Sequence, residues 1–513
     1  LIRRQRQMCI RDRSPSIFNL YFSRRQHSHD RYAEHGDTIQ KEQLDYLLHA
    51  ARNTEIGKRY GFSDIKSYSD FASRIPVIDY EGIKPYVDRM LRGENNLIWP
   101  SKIKWFAKSS GTTNDKSKFI PVSSECLKKC HYQGGFDVVA TYFRNYPHNK
   151  LFFGKSLILG GSHAINPLSP GISCGDLSAV LLQNSSTFVN CMRAPKLKIA
   201  LMSEWEAKIK AIVEDTMHRN IVSLSGVPSW MMTLIKHILQ ESGAQNLCEV
   251  WPNLEVFFHG GISFEPYRRY YKELIPSTGM HYVETYNASE GFFGIQNEPE
   301  KQDMLLMLDL GVFFEFIPLN ELNRENPRIL PPWEIEVGGN YALVISSTNG
   351  LWRYLIGDTV KITSTHPIKF TISGRTKHFI NAFGEELMVS NAEKGLAKAC
   401  EKTGSKVLNY SAAPVFMSDK SRGHHQWLIE FEKTPADIDT FADILDEALQ
   451  EVNSDYEAKR YKGIFLDRLE IVVARPHLFD DWLREKGKLG GQHKIPRLSN
   501  NRELIEDMLK MNH

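Results

Sequence analysis

Long apolar runs are missing from this 513-residue sequence. None reaches the ~18 residues that a membrane span needs. The strongest, 304–319, is interrupted by Asp309 and Glu315 and reads as two buried strands. A disulfide framework is missing too. The seven cysteines, Cys9, Cys126, Cys130, Cys174, Cys191, Cys248 and Cys400, form no CxxC pair, and an odd count at irregular spacing fits reduced thiols. Cys126 and Cys130, with His131 adjacent, are too few for a zinc signature and read as core or surface thiols. Charge of one sign is not in excess: 64 Lys+Arg face 61 Asp+Glu, a net +3. That excludes electrostatic nucleic-acid binding by the whole molecule, so any phosphate site is local. GxxxxGK[ST] and GxGxxG are both absent, which removes the P-loop and the dinucleotide fingerprint.

What is present begins with an Arg-dense stretch, residues 1–13 (LIRRQRQMCIRDR), which no hydrophobic signal core follows. It reads as a disordered basic arm or as foreign sequence, since QMCIRDR resembles a translated sequencing adapter, and it is set aside. Without its five Arg and one Asp, 59 basic residues face 60 acidic ones. The length then suits a large domain, 14–376, and a smaller one, 377–513, with a boundary near 375–377.

Within the first domain, apolar spacing predicts helices over 39–59, 83–91, 123–142, 199–217, 229–240 and 266–274. The helix after Pro228 is expected to be capped by Ser229. Strands are predicted at 103–108, 118–122, 156–160, 221–224 and 254–258, and the alternation indicates an α/β core with a largely parallel sheet flanked by helices. After Asp309 the pattern turns to strands, 312–317, 333–336, 341–346 and 360–363, which suggests an antiparallel or barrel-like appendage. The second domain reads as a small α+β unit with helices near 389–402 and 435–452, strands at 426–432 and 468–474, and its helices on one face.

Three segments carry chemistry. The first is KSSGTTNDKSK (108–118), held between two strands. Its hydroxyls, glycine and lysines can offer backbone N–H groups, O–H donors and positive charge to a polyphosphate, although the composition alone equally describes a flexible polar hairpin. The second is YVETYNASEG (282–291), where a carboxylate could hold Mg2+ against phosphate oxygens and Tyr286 offers a flat face to a purine. The third is LWRYLIGD (351–358), an aspartate at a glycine turn that could accept ribose hydroxyls or simply shape the turn.

In their order these segments, with LSGVPSWMM (224–232), FFHGGISFEPYRRYYKEL (257–274) and ISGRTKHFINAFGEEL (372–387), resemble the adenylate-forming superfamily over nearly the whole chain. The wording SSGTT, YxASEG and RYxxGD is narrower and is similar to the Gretchen Hagen family of acyl acid amido synthetases, auxin-responsive proteins of plants that also occur in bacteria. The resemblance implies an α/β fold, a large adenylation domain and a small mobile α+β domain turning at a hinge near Lys377. It also implies ATP and Mg2+ as cofactors, with a small carboxylic acid and an amino acid as substrates, in a cytoplasmic enzyme without nucleic-acid or membrane partners. Ser109, Ser110, Gly111, Thr112 and Thr113 would wrap the phosphates, with Lys116 or Lys118 adding charge. Gly260, Gly261 and Tyr286 would border the adenine, alongside Ala288 and Ser289, and Glu290 would hold the metal. Asp358 and Arg375 would grip the ribose, and Lys494, in GQHKIPR, would enter the adenylation site. Val227, Trp230 and Met231 are candidates for the acyl pocket or for an ordinary helix core.

Two departures matter. Asn381 stands where acyl-CoA ligases and luciferases usually have lysine, which argues against a thioester product, and Trp352 replaces the usual tyrosine. An acyl- or aryl-CoA ligase and a non-catalytic nucleotide-binding protein are the alternatives.

Overall fold

The computed structural model describes residues 21–110, 117–160, 166–202, 204–262, 264, 267–299, 301–322, 324–376, 379–385, 387–416, 422–461, 466–486 and 495–512. Its spine is one sheet of eleven strands. Five of them, Arg193–Ala194, Lys155–Ile158, Ile221–Gly226, Val256–His259 and His281–Ala288, run parallel in that spatial order. Helices such as Trp205–Thr216, Pro228–Ser242 and Arg268–Leu274 connect or cover them, as crossover connections require.

The sheet then continues antiparallel through Gly291–Ile295, Met304–Leu306, Ile368–Arg375, Tyr354–Thr365, Asn340–Ser347 and Val312–Pro318. The expected barrel-like appendage is therefore an extension of the same sheet. His281–Ala288 joins the halves, pairing parallel on one edge and antiparallel on the other. A separate four-stranded sheet, Ser117–Val122, Trp105–Ser110, Ile172–Gly175 and Asn166–Ser169, carries the first segment of interest.

Several expected elements differ. The stretch expected as one helix, 39–59, is two, Tyr32–Ala51 and Glu55–Arg59, because the Thr54 hydroxyl accepts from Gly57 N–H at 3.0 Å and caps a new start. The 199–217 helix likewise divides into Leu197–Ala200 and Trp205–Thr216. The expected strand at 333–336 is a single 3-10 turn, Pro332–Glu334, since consecutive prolines at 331 and 332 remove two ladder donors. Pro228 itself opens the next helix, with Val227 in the capping position and no side-chain cap, so Ser229 is not the cap.

The two largest apolar clusters of the amino-terminal part lie one in each half. Leu44, Leu47 and Leu48 of the first helix pack with Phe313, Phe314 and Ile345 of the antiparallel half. Met231, Ile235 and Tyr271 pack with Leu224 and Phe257 of the parallel half. The carboxy-terminal unit has a three-stranded sheet, Lys406–Val415, His424–Lys433 and Glu470–Val473. Val389–Thr403 and Ile438–Val452 bury Trp427 and Ile429 on one face, while Leu478, Phe479, Trp482, Ile505 and Met508 bury Leu428 on the other. Helices on both faces replace the expected one-sided arrangement, and the continuous run Trp427-Leu428-Ile429 requires it.

Candidate active site

The Ser117–Val122 and Trp105–Ser110 strands form a hairpin in which Ser109 faces Lys118 and Ser110 faces Ser117. The Lys118 ammonium lies 5.8 Å from the centre of the Tyr80 ring, whose hydroxyl accepts from Phe119 N–H. The tip of this hairpin, with Gly111, Thr112, Thr113 and Lys116, lies outside the described residues, as do Lys377 and Lys494.

The second segment forms the end of His281–Ala288 and the tight turn to Gly291–Ile295, where Ala288 pairs with Gly291. Ala288 and Ser289 are half-buried, while Glu290 in the turn is buried. Tyr286 is fixed edge-on against Phe293, ring centres 5.0 Å apart, and its hydroxyl donates to the Asp358 carboxylate. Asp358 in turn sits opposite Arg375 across neighbouring strands. Tyr286, Asp358 and Arg375, expected around one nucleoside, thus meet at one place in the sheet.

Gly357 and Asp358 do not form a turn between strands, as expected. They lie within Tyr354–Thr365, where Gly357 has φ of 101° and its carbonyl accepts from Thr376 N–H at 2.7 Å. That left-handed backbone favours glycine and lets the strand twist, with a register shift just beyond at Thr359 and Val360.

The glycine pair closes the site from the parallel half. A Cβ on Gly260 would collide with the Thr285 carbonyl oxygen, so only glycine lets this loop lie against the strand that carries Tyr286. Thr285 secures it by donating from its hydroxyl to the His259 carbonyl at 3.1 Å. Val227 approaches the same loop, 3.4 Å from where a Cβ on Gly261 would stand.

Val227, Trp230 and Met231 separate by environment. Met231 is fully buried in the core beneath its helix, the environment that the second of its two readings describes. Trp230 faces the carboxy-terminal unit, with the Lys459 ammonium 4.1 Å from its ring centre. Nearby, Tyr267 donates to the Ala382 carbonyl at 2.6 Å, so this face of the parallel half touches both parts of the chain.

Two features were not read from the sequence. Asn349 ties the chain just beyond the first segment to the second: its side-chain oxygen accepts from Ser123 N–H at 3.1 Å, its amide donates to the Glu290 carbonyl at 3.2 Å, and Gly350 alone separates it from LWRYLIGD. An Asn-Gly pair before the motif is its only sequence signal. Arg353, in RYxxGD, makes a buried ion pair with Glu315 at 2.8 Å and donates to the Ala72 and Ile75 carbonyls, both at 2.7 Å. It anchors the segment rather than a ligand.

His131 supports the turn from the other side, its Nδ1 lying 3.0 Å from the Asn287 side-chain oxygen. Burial pulls this imidazole down to about 4, so it is neutral near pH 7. Cys130 accepts from Phe292 N–H through its sulfur at 3.1 Å, which gives this thiol a structural role. All six cysteines among the described residues are free, and no cluster of three or more His, Cys, Asp or Glu stands ready for a metal there. A single carboxylate, Glu290, still suits Mg2+, which draws most of its ligands from water and substrate phosphates. Asp358, a buried carboxylate that accepts from the Tyr286 hydroxyl, has the acceptor chemistry that ribose hydroxyls require.

Comparison with known proteins gives three matches to one family: its N-terminal domain over residues 25–280, its central domain over 305–375 and its C-terminal domain over 390–503. An indole-3-acetic acid-amido synthetase of Arabidopsis thaliana is 24% identical, over 90% of this chain and 89% of its own length. A 4-substituted benzoates-glutamate ligase of the same plant is also 24% identical, covering 90% and 92%. A jasmonoyl-L-amino acid synthetase of Nicotiana attenuata is 23% identical and covers 90% of each chain. Among solved structures, an acyl acid amido synthetase bound to 2,4-DB shares the fold, with a TM-score of 0.60, 18% identity and coverage of 94% and 95%. A 2-hydroxyisobutyryl-CoA ligase does so at 0.57, with 14% identity, 93% and 91%. With three successive domain matches spanning most of its length, in the order its own motifs follow, the chain belongs to the GH3 family.

Proposed function

We propose that this protein is an ATP-dependent acyl acid amido synthetase. The observation that carries the reading is the meeting of Tyr286, Asp358 and Arg375, from three motifs, beside the glycine loop. In the reaction, a carboxylate oxygen of the acid attacks the α-phosphorus of ATP and pyrophosphate leaves. The amine of an amino acid then attacks the acyl carbonyl. A C–N bond forms, the C–O bond to AMP breaks with its electron pair on AMP, and the amine nitrogen gives up one proton to base or solvent and keeps the other as the amide N–H.

Each residue has a proposed part. Ser109, Ser110, Gly111, Thr112 and Thr113 surround the phosphates, and Lys116, Lys118 and Lys494 neutralise charge that grows in the transition state. Gly260, Gly261 and Tyr286 border the adenine, beside Ala288 and Ser289, while Asp358 and Arg375 hold the ribose. Glu290 would hold Mg2+, which when bound offsets negative charge on the phosphates. Val227 and Trp230 border the acid. The two half-reactions need different surroundings, and a carboxy-terminal unit, 377–513, turning at Lys377 supplies them.

Small carboxylic acids and amino acids are the substrates, in a cytoplasmic setting. No helix among the described residues is long and apolar enough to cross a membrane. The test is pyrophosphate release from ATP with a panel of carboxylic acids, followed by identification of the product made with amino acids or with CoA. Acid-dependent release and an amide product support the reading. A thioester product, or ATP binding with no release for any acid, refutes it.

A further inference from the structure

The carboxy-terminal unit meets the parallel half through a small pad, residues 382–385. Glu385 shapes the pad: its carboxylate accepts from Ala382 N–H at 3.2 Å and Phe383 N–H at 2.7 Å, and His425 Nε2 lies 2.8 Å from it. From this pad the Ala382 carbonyl faces Tyr267, and a Cβ on Gly384 would stand 3.8 Å from the Trp230 ring. Phe416 packs against the apolar clusters of both units, its ring centre 6.0 Å from that of Tyr267. In this largely apolar contact stands a cation.

Lys459, from the Ser454–Arg460 helix, is 2% exposed, with its ammonium over the Trp230 ring and its Cε 3.4 Å from where a Cβ on Gly384 would stand. Its charged neighbours divide by unit. Asp455 and Glu385 belong to its own unit and stay with it in any orientation, and Glu385 already serves two N–H groups and His425. Asp176 comes from the other side. It follows Ile172–Gly175, one residue beyond the pairing of Gly175 with Ala107, at the foot of the hairpin that carries Ser109 and Ser110. Asp176 is also shared, because its field reaches Lys208, a buried lysine that burial pulls down to about 8.

Docking therefore takes the Lys459 ammonium out of water and returns a ring face and a share of one carboxylate. Burial wins this contest: it pushes the ammonium down, against the pull of Asp455, Asp176 and Glu385. An apolar side chain of similar length would make the contact stronger, since buried charges are commonly outdone by well-packed apolar replacements.

We propose that Lys459 is a release element for the carboxy-terminal unit: its ammonium, buried against Trp230 and Asp176, keeps this docked orientation only marginally favoured, so that the unit can turn. The inference rests on the amido synthetase reading for the two half-reactions that the turn connects, and adds to it the residue that sets the balance between them.

Two readouts in the full-length enzyme test this. Solution X-ray scattering, fitted as a mixture of the docked structure and chains with the unit turned out, gives the docked ratio without any need for activity. Lys459→Met should raise that ratio about tenfold or more, the effect of removing a partly compensated buried charge, and Lys459→Arg should leave it within about twofold. Asp176→Asn should lower it, because the docked ammonium then loses the carboxylate that docking supplies. A lysine that merely held the units together would loosen the contact in both neutral variants, and that result overturns the proposal, as does a wild type found only in the docked orientation. Should methionine fail to fold at this position, Lys459→Gln decides by the same sign. In turnover, Lys459→Met should slow one half-reaction about tenfold while the other holds within about twofold. Acid-dependent exchange of pyrophosphate into ATP reports the first, and single-turnover transfer from preformed acyl adenylate the second; equal changes in both overturn the proposal. Absence of acid-dependent exchange in the wild type would refute the adenylation reading instead, and scattering alone then decides the part of Lys459.

Discussion

Replacing Arg353 by methionine is expected to destabilise the fold severely. The guanidinium is 2% exposed and its partner Glu315 wholly buried. Arg353 reaches Glu315 through two nitrogens, at 2.8 to 3.1 Å, and donates to the Ala72 and Ile75 carbonyls, tying the Tyr68–Arg74 helix to the antiparallel half of the sheet. Methionine fills much of the same volume but leaves a buried carboxylate with only the Tyr68 hydroxyl, at 2.9 Å, among its side-chain donors. Burial already pushes the Glu315 carboxyl upward despite Arg353, so without the cation it would take up a proton. Breaking a buried pair on one side costs about 3–5 kcal/mol. Arg353→Met should therefore lower the urea midpoint strongly, and Arg353→Met with Glu315→Met should recover part of that loss, because no charge is then stranded. The assay is urea unfolding followed by tryptophan fluorescence. A loss below about 1 kcal/mol, or a double variant worse than either single one, would refute this account of the pair.

Four further outcomes are expected. Glu290→Ala and Asp358→Ala should abolish acid-dependent pyrophosphate release with little change in thermal midpoint; retained turnover in either counts against the site. Met231→Ala should cost about 2–5 kcal/mol as a core cavity while leaving the ranking of acid substrates unchanged, and a changed ranking would return Met231 to the acyl pocket. Gly260→Ala should raise the KM for ATP, because the loop must move off Thr285, and an unaltered KM would show that the loop borders no nucleotide. His131 should contribute to acid sensitivity. Its folded-state value of about 4 lies below the unfolded 6.5, so the unfolded chain binds more protons in that window. Stability is complete above about pH 6.5 and falls as pH drops toward 4, by about 3 kcal/mol for this group. Urea unfolding from pH 4 to 7 should show a shallower slope for His131→Gln; identical slopes would rule the group out.

The motifs were legible because each is local. A run of small hydroxylated residues between two strands, or a carboxylate after YNAS, shows its chemistry within ten residues. The strand and helix alternation likewise gave the parallel half, since crossover connections impose that pattern. Sheet membership was not legible: His281–Ala288 reads as one more strand, and nothing in its residues announces that it binds a parallel neighbour on one side and an antiparallel one on the other. The single turn at Pro332–Glu334 was hidden by Trp333 and Ile335, whose apolar character outweighed two prolines in the pattern. Asn349 and Arg353 were invisible because their partners are distant in sequence: Ser123 lies 226 residues from Asn349.

The seam in the large sheet has one more consequence. Tyr286 stands where the parallel strands give way to antiparallel ones, and crevices at such changes of topology are where α/β sheets accept ligands. The proposed ribose grip at Asp358 and Arg375 belongs to one half, while the glycine loop proposed for the adenine and Val227, proposed for the acid, belong to the other. On that proposal the nucleotide bridges the seam and the acid meets it from the parallel side. A lineage could then exchange one acid for another by altering loops on the parallel side, with the ribose grip inherited intact across the seam.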